Sequence, residues 1–372
     1  MVREAACVKV LALGEFPIDS PRAHAVNVFK TAGGFARLGH EVTLACLPPE
    51  QARSAIDLGG SFGERGLRTL VLAKDRYGED AAVLARSLGA HAVYARSFRG
   101  ASACARAGFC TILETHAHPD DANPLIRECC AMAQADGALG GIATIGTVLR
   151  EALIARGADP GRVHVVPDGV DVELFAPPAP LPDPMWRSDG RKHAVYAGHL
   201  YEYKGVPTML DAAGFLPAWV FHFVGGVKED IDSVAQRVEA RGLSNVRLEG
   251  HRPHTEVPRW LWHADALLLP PLPTDPSARW TSPVKLGEYL AAGPAVIASD
   301  IPSLGAWVSD REVIWFRAGD AGSLAAALGR AAAASAGERS TRKSAALELA
   351  RTYDYANRAR RLLGILGLKE PP

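Results

Sequence analysis

Residues Trp280–Ser299 read WTSPVKLGEYLAAGPAVIAS, and the fold of the chain follows from this stretch. Ser282 is a good N-cap, and Pro283 suits the first helical position, where its fixed φ helps and its missing N–H costs nothing. A helix therefore starts here, with Leu286, Tyr289 and Leu290 as its apolar stripe. It stops at Gly293-Pro294, after which Ala295-Val296-Ile297-Ala298 reads as a buried strand. Lys285 falls in the first turn, where the helix dipole is positive and a cation is out of place unless an anion binds there. Glu288 shares its face one turn on, a carboxylate able to accept two vicinal hydroxyls. A ribose diphosphate fits that spacing, and so does a solvated pair on an ordinary amphipathic helix.

The stretch resembles the donor-site helix of retaining, GT-B-fold glycosyltransferases of family 4 (glycosyl transferases group 1), whose pattern is S-P-[LV]-K-x-x-E-Y-[ML]-A-A-G-x-P-V-[IV]-A. The resemblance implies that Ser282, Pro283, Val284 and Lys285 meet the diphosphate of a nucleotide sugar and that Glu288 holds the ribose. Many members carry a second glutamate eight residues earlier that touches the sugar; here that position is Trp280. Trp280 and Thr281 are then expected to border the sugar.

With 372 residues, 48% of them hydrophobic, the chain can bury two cores. Lys+Arg and Asp+Glu both number 41, which excludes the basic field of a nucleic-acid binder. The opening MVREAACVKVLALG turns into a strand too soon for a signal peptide, and no run approaches a membrane span. Cys7, Cys46, Cys104, Cys110, Cys129 and Cys130 lack paired C-x-x-C spacing and a histidine array, so they read as buried small hydrophobes in a reducing compartment, not as a zinc site.

The first half alternates strands (8–13, 42–46, 69–72, 92–94, 111–114, 142–145, 163–166) with helical patterns, which implies a parallel, doubly wound sheet whose ligands lie at the strands' carboxyl ends. There is no G-x-G-x-x-G after the first strand, so a dinucleotide site is disfavoured. Family members usually have a glycine-rich loop where this chain has Ser20-Pro21-Arg22-Ala23, and the resemblance places Ser20, Arg22 and His24 on the sugar or acceptor side, although a capped helix with solvated basic residues explains Arg22 and His24 equally well. The following helix contains Gly33-Gly34, which costs on the order of 1 kcal/mol per glycine against alanine and has no functional reading beyond close packing. Strand 111–114 delivers His116 to the sheet end; a lone histidine is more often structural, and the match to the family's strand-end histidine makes it a candidate beside the sugar and leaving phosphate. Asp120-Asp121 reads as part of a capped loop. Thr147 is expected to cap a helix.

Val165-Val166-Pro167-Asp168-Gly169-Val170-Asp171 resembles the family's V-x-P-N-G-V-D crossing between domains, with Asp168 in place of asparagine; Asp168 and Asp171 read as turn residues. Proline-rich 176–184 reads as the linker. The second half restarts the alternation (194–197, 219–224, 246–248, 266–269, 295–298, 313–316). Its first strand ends in Gly198-His199-Leu200-Tyr201-Glu202-Tyr203-Lys204-Gly205, similar to the family loop G-[RH]-L-x-x-x-K-G, whose lysine pairs with the diphosphate. Lys204 is expected to begin a helix, again the wrong sign for the dipole without an anion. His199 is expected beside it, and His251, Arg252 and Pro253 at the base. Asp230-Ile231-Asp232 spells D-x-D, but in a first helical turn acidic residues complement the dipole without further explanation.

The expected architecture is α/β of GT-B type, two Rossmann-like doubly wound domains facing across a cleft. Residues 1–167 form the acceptor side, 168–192 the crossing segment and linker, 193–352 the nucleotide-sugar side, and 353–372 a helix crossing back to the first domain. The resemblance implies a hexosyltransferase-type glycosyltransferase that retains anomeric configuration by front-face substitution, with His116, Lys204 and Glu288 as catalytic residues. It needs no metal or cofactor beyond its substrate, a nucleotide sugar that is UDP-linked by default. The acceptor hydroxyl belongs to a small molecule, a glycan or a lipid-linked glycan; nucleic acid is not a partner, membrane contact is at most peripheral, and the location is cytoplasmic. Two other readings stay open: a nucleotide-sugar 2-epimerase of the same fold, and a non-catalytic nucleotide-sugar or glycan-binding protein.

Overall fold

The computed structural model describes residues 7–20, 22–49, 67–118, 123–186, 189–274, 276–280 and 284–368. The chain divides into two compact units, Met1–Gly169 with Tyr353–Pro372, and Val170–Thr352.

The first unit is built on β1 (Lys9–Pro17), β2 (Glu41–Leu47), β3 (Arg68–Val71), β4 (Ala92–Arg96), β5 (Thr111–Thr115), β6 (Gly141–Thr144) and β7 (Val163–Val165). They form a seven-stranded sheet in the order β3-β2-β1-β4-β5-β6-β7, every pairing parallel. The strands are near-continuous runs of buried Val, Leu, Ile and Ala, as a sheet covered by helices on both faces requires. β1 runs on through Gly14-Glu15-Phe16-Pro17, beyond the 8–13 segment read from the sequence, because its pairing with β2 resumes at Pro17 after a register shift.

The helix Ala23–Arg37 covers one face and carries the helix Tyr355–Ile365 from the chain's end. Gly34 makes that packing possible: a Cβ there would overlap the carbonyl group of Tyr355. The glycine thus trades helix propensity for the close approach of two backbones. The helix at 147 begins at Thr147 itself, with Gly146 in the capping position. The threonine is one residue too far along to cap.

The second unit carries β8 (Lys192–Ala197), β9 (Trp219–Val224), β10 (Val246–Gly250), β11 (Ala266–Leu269), β12 (Ala295–Ser299) and β13 (Val313–Phe316). The sheet is six-stranded, ordered β10-β9-β8-β11-β12-β13. In both sheets the chain starts mid-sheet, runs to one edge, and returns to build the other side, so strand order reverses beside the first strand. That switch point lies between β1 and β4 in the first unit and between β8 and β11 in the second, where open α/β sheets leave room for ligands.

Asp171 accepts from the Leu174 N–H at 3.2 Å and caps the short helix Val172–Phe175. The proline-rich stretch that follows is pinned along the second unit. Trp262 Nε1 donates to Phe175 O at 2.7 Å, His263 Nε2 lies 2.7 Å from Pro182 O, and Trp186 stacks on both His193 and His222 at 4.6 Å. Cys46, Cys104, Cys129 and Cys130 are buried, but Cys7 and Cys110 are exposed, because both precede the strand cores they lead into. Among the described residues no helix is long and apolar enough to cross a membrane.

Candidate functional site

In the second unit the exits of β8, β9 and β10 lie side by side. Gly198 N–H donates to Val224 O and Gly225 N–H to Gly250 O, both at 2.8 Å, so pairing continues past the strands. A Cβ on Gly225 would come within 2.5 Å of Gly198 O, which leaves glycine as the residue that lets these loops touch. After β8 the chain makes a 3₁₀ turn, Glu202–Lys204, and the α-helix Val206–Phe215 follows. Lys204 therefore ends a turn and does not begin the helix. The cause is Gly205, held at φ 84° while its α-carbon lies against the carbonyl of Pro270 at the β11 exit; Leu272 N–H also donates to Tyr203 O at 2.8 Å. These contacts set Lys204 ahead of the helix N-terminus, at the β8/β11 switch point.

The helix Val284–Ala292 brings the second cation. Its Tyr289 hydroxyl accepts from Ala197 N–H at 2.8 Å, tethering the helix to the end of β8. Lys285 leans back so that its Cε lies against Gly198, and its Nζ is 3.8 Å from Glu288 Oε2. Glu288 is only 3% exposed, with Oε1 3.0 Å from His254 Nε2. The His254 ring meets Phe175 edge-on at 5.3 Å. Gly287 makes room for Val170, whose Cβ would be 2.9 Å from an added Cβ.

His199 is where these groups meet. Its pKa is lowered first by burial and then by Lys285, Lys204 and His251, with Asp230 acting the other way. Three of the residues expected at the diphosphate or base thus act on a fourth. The His199 ring is stacked on Tyr201 at 5.0 Å, Tyr201 on Tyr203 at 5.5 Å, and the Tyr196 hydroxyl donates to His199 O at 2.6 Å. Arg252 lies over Trp260 at 5.5 Å, while His251 and Pro253 are exposed. Asp232 pairs with Lys228 at 2.6 Å on its own helix, which accounts for the second acid of the D-x-D. Trp280 is half-buried after the turn Pro276–Arg279. Thr281, Ser282, Pro283, Asp120 and Asp121 lie outside the described residues. Nothing in the sequence singles out His254, since its link to Glu288 spans 34 positions.

The first unit gathers its own cluster at the ends of β1, β4 and β5. Ser20 is buried, with Oγ accepting from Arg22 N–H at 3.4 Å. His24 meets Phe16 edge-on at 5.4 Å. Its pKa is pulled down by burial, then by Arg96, Arg22 and His116, so Arg22, His24 and His116 share one neighbourhood. His116 Nε2 lies 3.0 Å from Glu114 Oε1 and 3.5 Å from Asp168 Oδ1. Asp168, expected as a turn residue, is buried against this histidine.

With the geometry in place, residues 191–333 match the family model described as glycosyl transferases group 1. The matched segment lies within the second unit. It contains Gly198, His199, Lys204, His254, Lys285 and Glu288. Similar curated proteins include a putative teichuronic acid biosynthesis glycosyltransferase, TuaH, of Bacillus subtilis (strain 168). It is 32% identical over 146 residues, 38% of this chain and 35% of that protein. D-inositol 3-phosphate glycosyltransferase of Paenarthrobacter aurescens (strain TC1) is 26% identical over 220 residues, 54% of this chain and 49% of that protein. The matched regions thus span between about a third and a half of these relatives' length. Among solved structures, Anabaena HepE in complex with UDP-glucose has a TM-score of 0.71 at 14% identity, covering 97% of this chain and 99% of that one. A glycosyltransferase from Rickettsia africae ESF-5 has a TM-score of 0.76 at 12% identity, covering 97% and 98%. Sucrose-phosphate synthase from Thermosynechococcus elongatus has a TM-score of 0.68 at 15% identity, covering 96% and 98%. The fold of the two units is that of the GT-B structures they match.

Proposed function

We propose that this protein is a retaining glycosyltransferase that moves a sugar from a nucleoside-diphosphate sugar, UDP-linked by default, to a hydroxyl of a small-molecule, glycan or lipid-linked acceptor. The observation that carries the reading is Lys285 laid with its Cε against Gly198 at the exit of β8, next to His199, with Lys204 ending the turn that follows. Two lysines directed to one strand exit are favoured there by an anion that offsets their charge. A diphosphate supplies that anion, and the first amides of the helix Val284–Ala292 add donors and a positive dipole end. HepE, a structural neighbour, was solved with UDP-glucose.

In this reading Lys204, Lys285, His199 and the Val284 and Lys285 amides hold the diphosphate and stabilise the charge that develops on it as the glycosidic bond breaks. His251, Arg252 and Pro253 lie toward the base. Glu288 meets the ribose hydroxyls, with His254 fixing its second oxygen. His116, Arg22, His24 and Ser20 serve the sugar or the acceptor, and Trp280 borders the sugar. The leaving diphosphate takes the acceptor's proton on the face it departs from, so configuration is retained with neither a metal nor a second carboxylate as base.

Two measurements test this. A thermal-shift series with UDP-, GDP-, ADP- and TDP-sugars should give stabilisation by at least one, because a ligand bound only to the folded state raises stability by mass action. Lys204→Ala and Glu288→Ala should each lower transfer about tenfold or more, about 1.4 kcal/mol of transition-state stabilisation. Unchanged turnover in both variants, with the fold intact, removes the assignment.

A further inference from the structure

The donor chemistry leaves the buried carboxylate of Glu114 unused. Glu114, at the end of β5, is 2% exposed. Its Oε2 accepts from the Tyr94 hydroxyl at 2.7 Å and pairs with Arg358, while its Oε1 accepts from Asn27 Nδ2 at 3.0 Å and from Arg96 Nη1 at 3.2 Å. Arg358 is held in turn by Pro167 O and Thr31 Oγ1, both at 2.9 Å. Burial opposes the charge on Glu114, but Arg358, the hydrogen bond to His116 and Arg96 outweigh it and keep the carboxyl well below the usual carboxylate range. Glu114 is therefore an acceptor only.

That fixes the histidine facing it. Nε2 of His116 is the nitrogen nearest both Glu114 Oε1, at 3.0 Å, and Asp168 Oδ1, at 3.5 Å. A nitrogen facing an ionised carboxylate must carry a hydrogen, and a neutral imidazole has only one N–H. The lone pair is left on Nδ1.

We infer that Glu114 and Asp168 are positioning residues that hold His116 as its Nε2–H tautomer and present Nδ1 as a hydrogen-bond acceptor to a ligand hydroxyl. The identity of that hydroxyl, on the transferred sugar or the acceptor, rests on the glycosyl-transfer reading; the tautomer does not. Glu114, His116 and Asp168 are also residue types that ligate metals, with their ligand atoms within 4.8 Å of one another. Arg96 and Arg358, already paired with Glu114, put two positive charges where a cation would sit, so the hydrogen-bonded arrangement is favoured.

The test uses the full chain labelled with ¹⁵N-histidine, with His116 assigned among the 12 histidines by its loss in His116→Gln. At neutral pH its Nε2 should read as protonated and its Nδ1 as bare. Asp168→Asn keeps the Glu114–Arg358 pair and should lower kcat about tenfold or more while donor affinity stays within about twofold, the signature of a group that orients a ligand in the reacting complex. A hydrogen on Nδ1 in the unmodified protein, whether as the Nδ1–H tautomer or the imidazolium, selective broadening of the His116 signal by added Mn²⁺, or unchanged kcat in Asp168→Asn would overturn the inference. The tautomer is read whether or not transfer is found, so failure here and failure of the proposed activity are separate results.

Discussion

Lys285 reaches back from the first turn of the helix Val284–Ala292 to the end of β8, where an added Cβ on Gly198 would stand 2.8 Å from its Cε. Two elements about 90 residues apart thus place a cation over the first strand exit. Removing it with Lys285→Ala should weaken UDP-sugar binding by about 10- to 100-fold, the range expected for one charge-assisted hydrogen bond. Gly198→Ala should weaken binding less, since the neighbour it displaces is the middle of a flexible arm. Calorimetric titration of both variants gives the ranking, and equal affinity for Lys285→Ala and the parent protein would refute it.

Where the resembled loop most often has arginine, this chain has His199, and a histidine makes donor binding depend on pH. In the empty protein its pKa is lowered by burial and by Lys285, Lys204 and His251. A bound diphosphate offsets those charges and favours the imidazolium, so binding takes up a proton. Affinity for a UDP-sugar, whose diphosphate diester holds constant charge in this range, should rise as pH is lowered from about 8 to about 6. His199→Arg should flatten the dependence. Proton uptake can be read by titration in buffers of different ionisation enthalpy, and none at all would count against the placement.

Gly205 combines two constraints, a φ of 84° and a backbone laid on Pro270's carbonyl. Gly242 has only the first, with φ 63° and open space around it. In the same unit, Gly205→Ala should therefore cost roughly 2–4 kcal/mol and Gly242→Ala roughly 1 kcal/mol. Urea unfolding of the two variants compares them, and similar midpoints would mean that the Pro270 contact costs nothing.

Arg358, 2% exposed, is the counter-charge that lets Glu114 stay ionised in the core of the first unit. Arg358→Met should destabilise that unit by roughly 3 kcal/mol, because it removes the more buried of the two guanidiniums that pair with Glu114. Adding Glu114→Gln should recover part of the loss, a non-additivity that a double-mutant cycle reads directly. Strictly additive effects would show the pair to be uncoupled.

Acid should act on the second unit through His193. Its pKa is lowered by burial and then by His222, whose Nε2 lies 2.9 Å from His193 Nδ1, under the Trp186 ring. A lowered histidine pKa means the folded state binds fewer protons than the unfolded one. The stability it contributes is present above the unfolded value of about 6.5 and is lost as pH falls through the folded value. Thermal unfolding followed by tryptophan fluorescence, which reports on the second unit because all seven tryptophans lie there, should shift downward over that window, and His193→Gln should remove this part of the shift.

Sequence alone determined the elements. Each of the strand segments it suggests is present, because strands buried on both faces must be apolar runs whatever surrounds them, and the alternation with helices leaves a parallel sheet as the arrangement. The positions of Lys204, Lys285 and His116 were legible for a related reason: each follows a strand or lies in a helix's first turn, places marked by local chemistry, and Glu288 follows one turn after Lys285. Tertiary structure decided the partners. His254 on Glu288, Arg358 on Glu114 and Asp168 on His116 join residues 34, 244 and 52 positions apart. A buried charge selects its partner by distance in the fold, and no spacing along the chain records that choice.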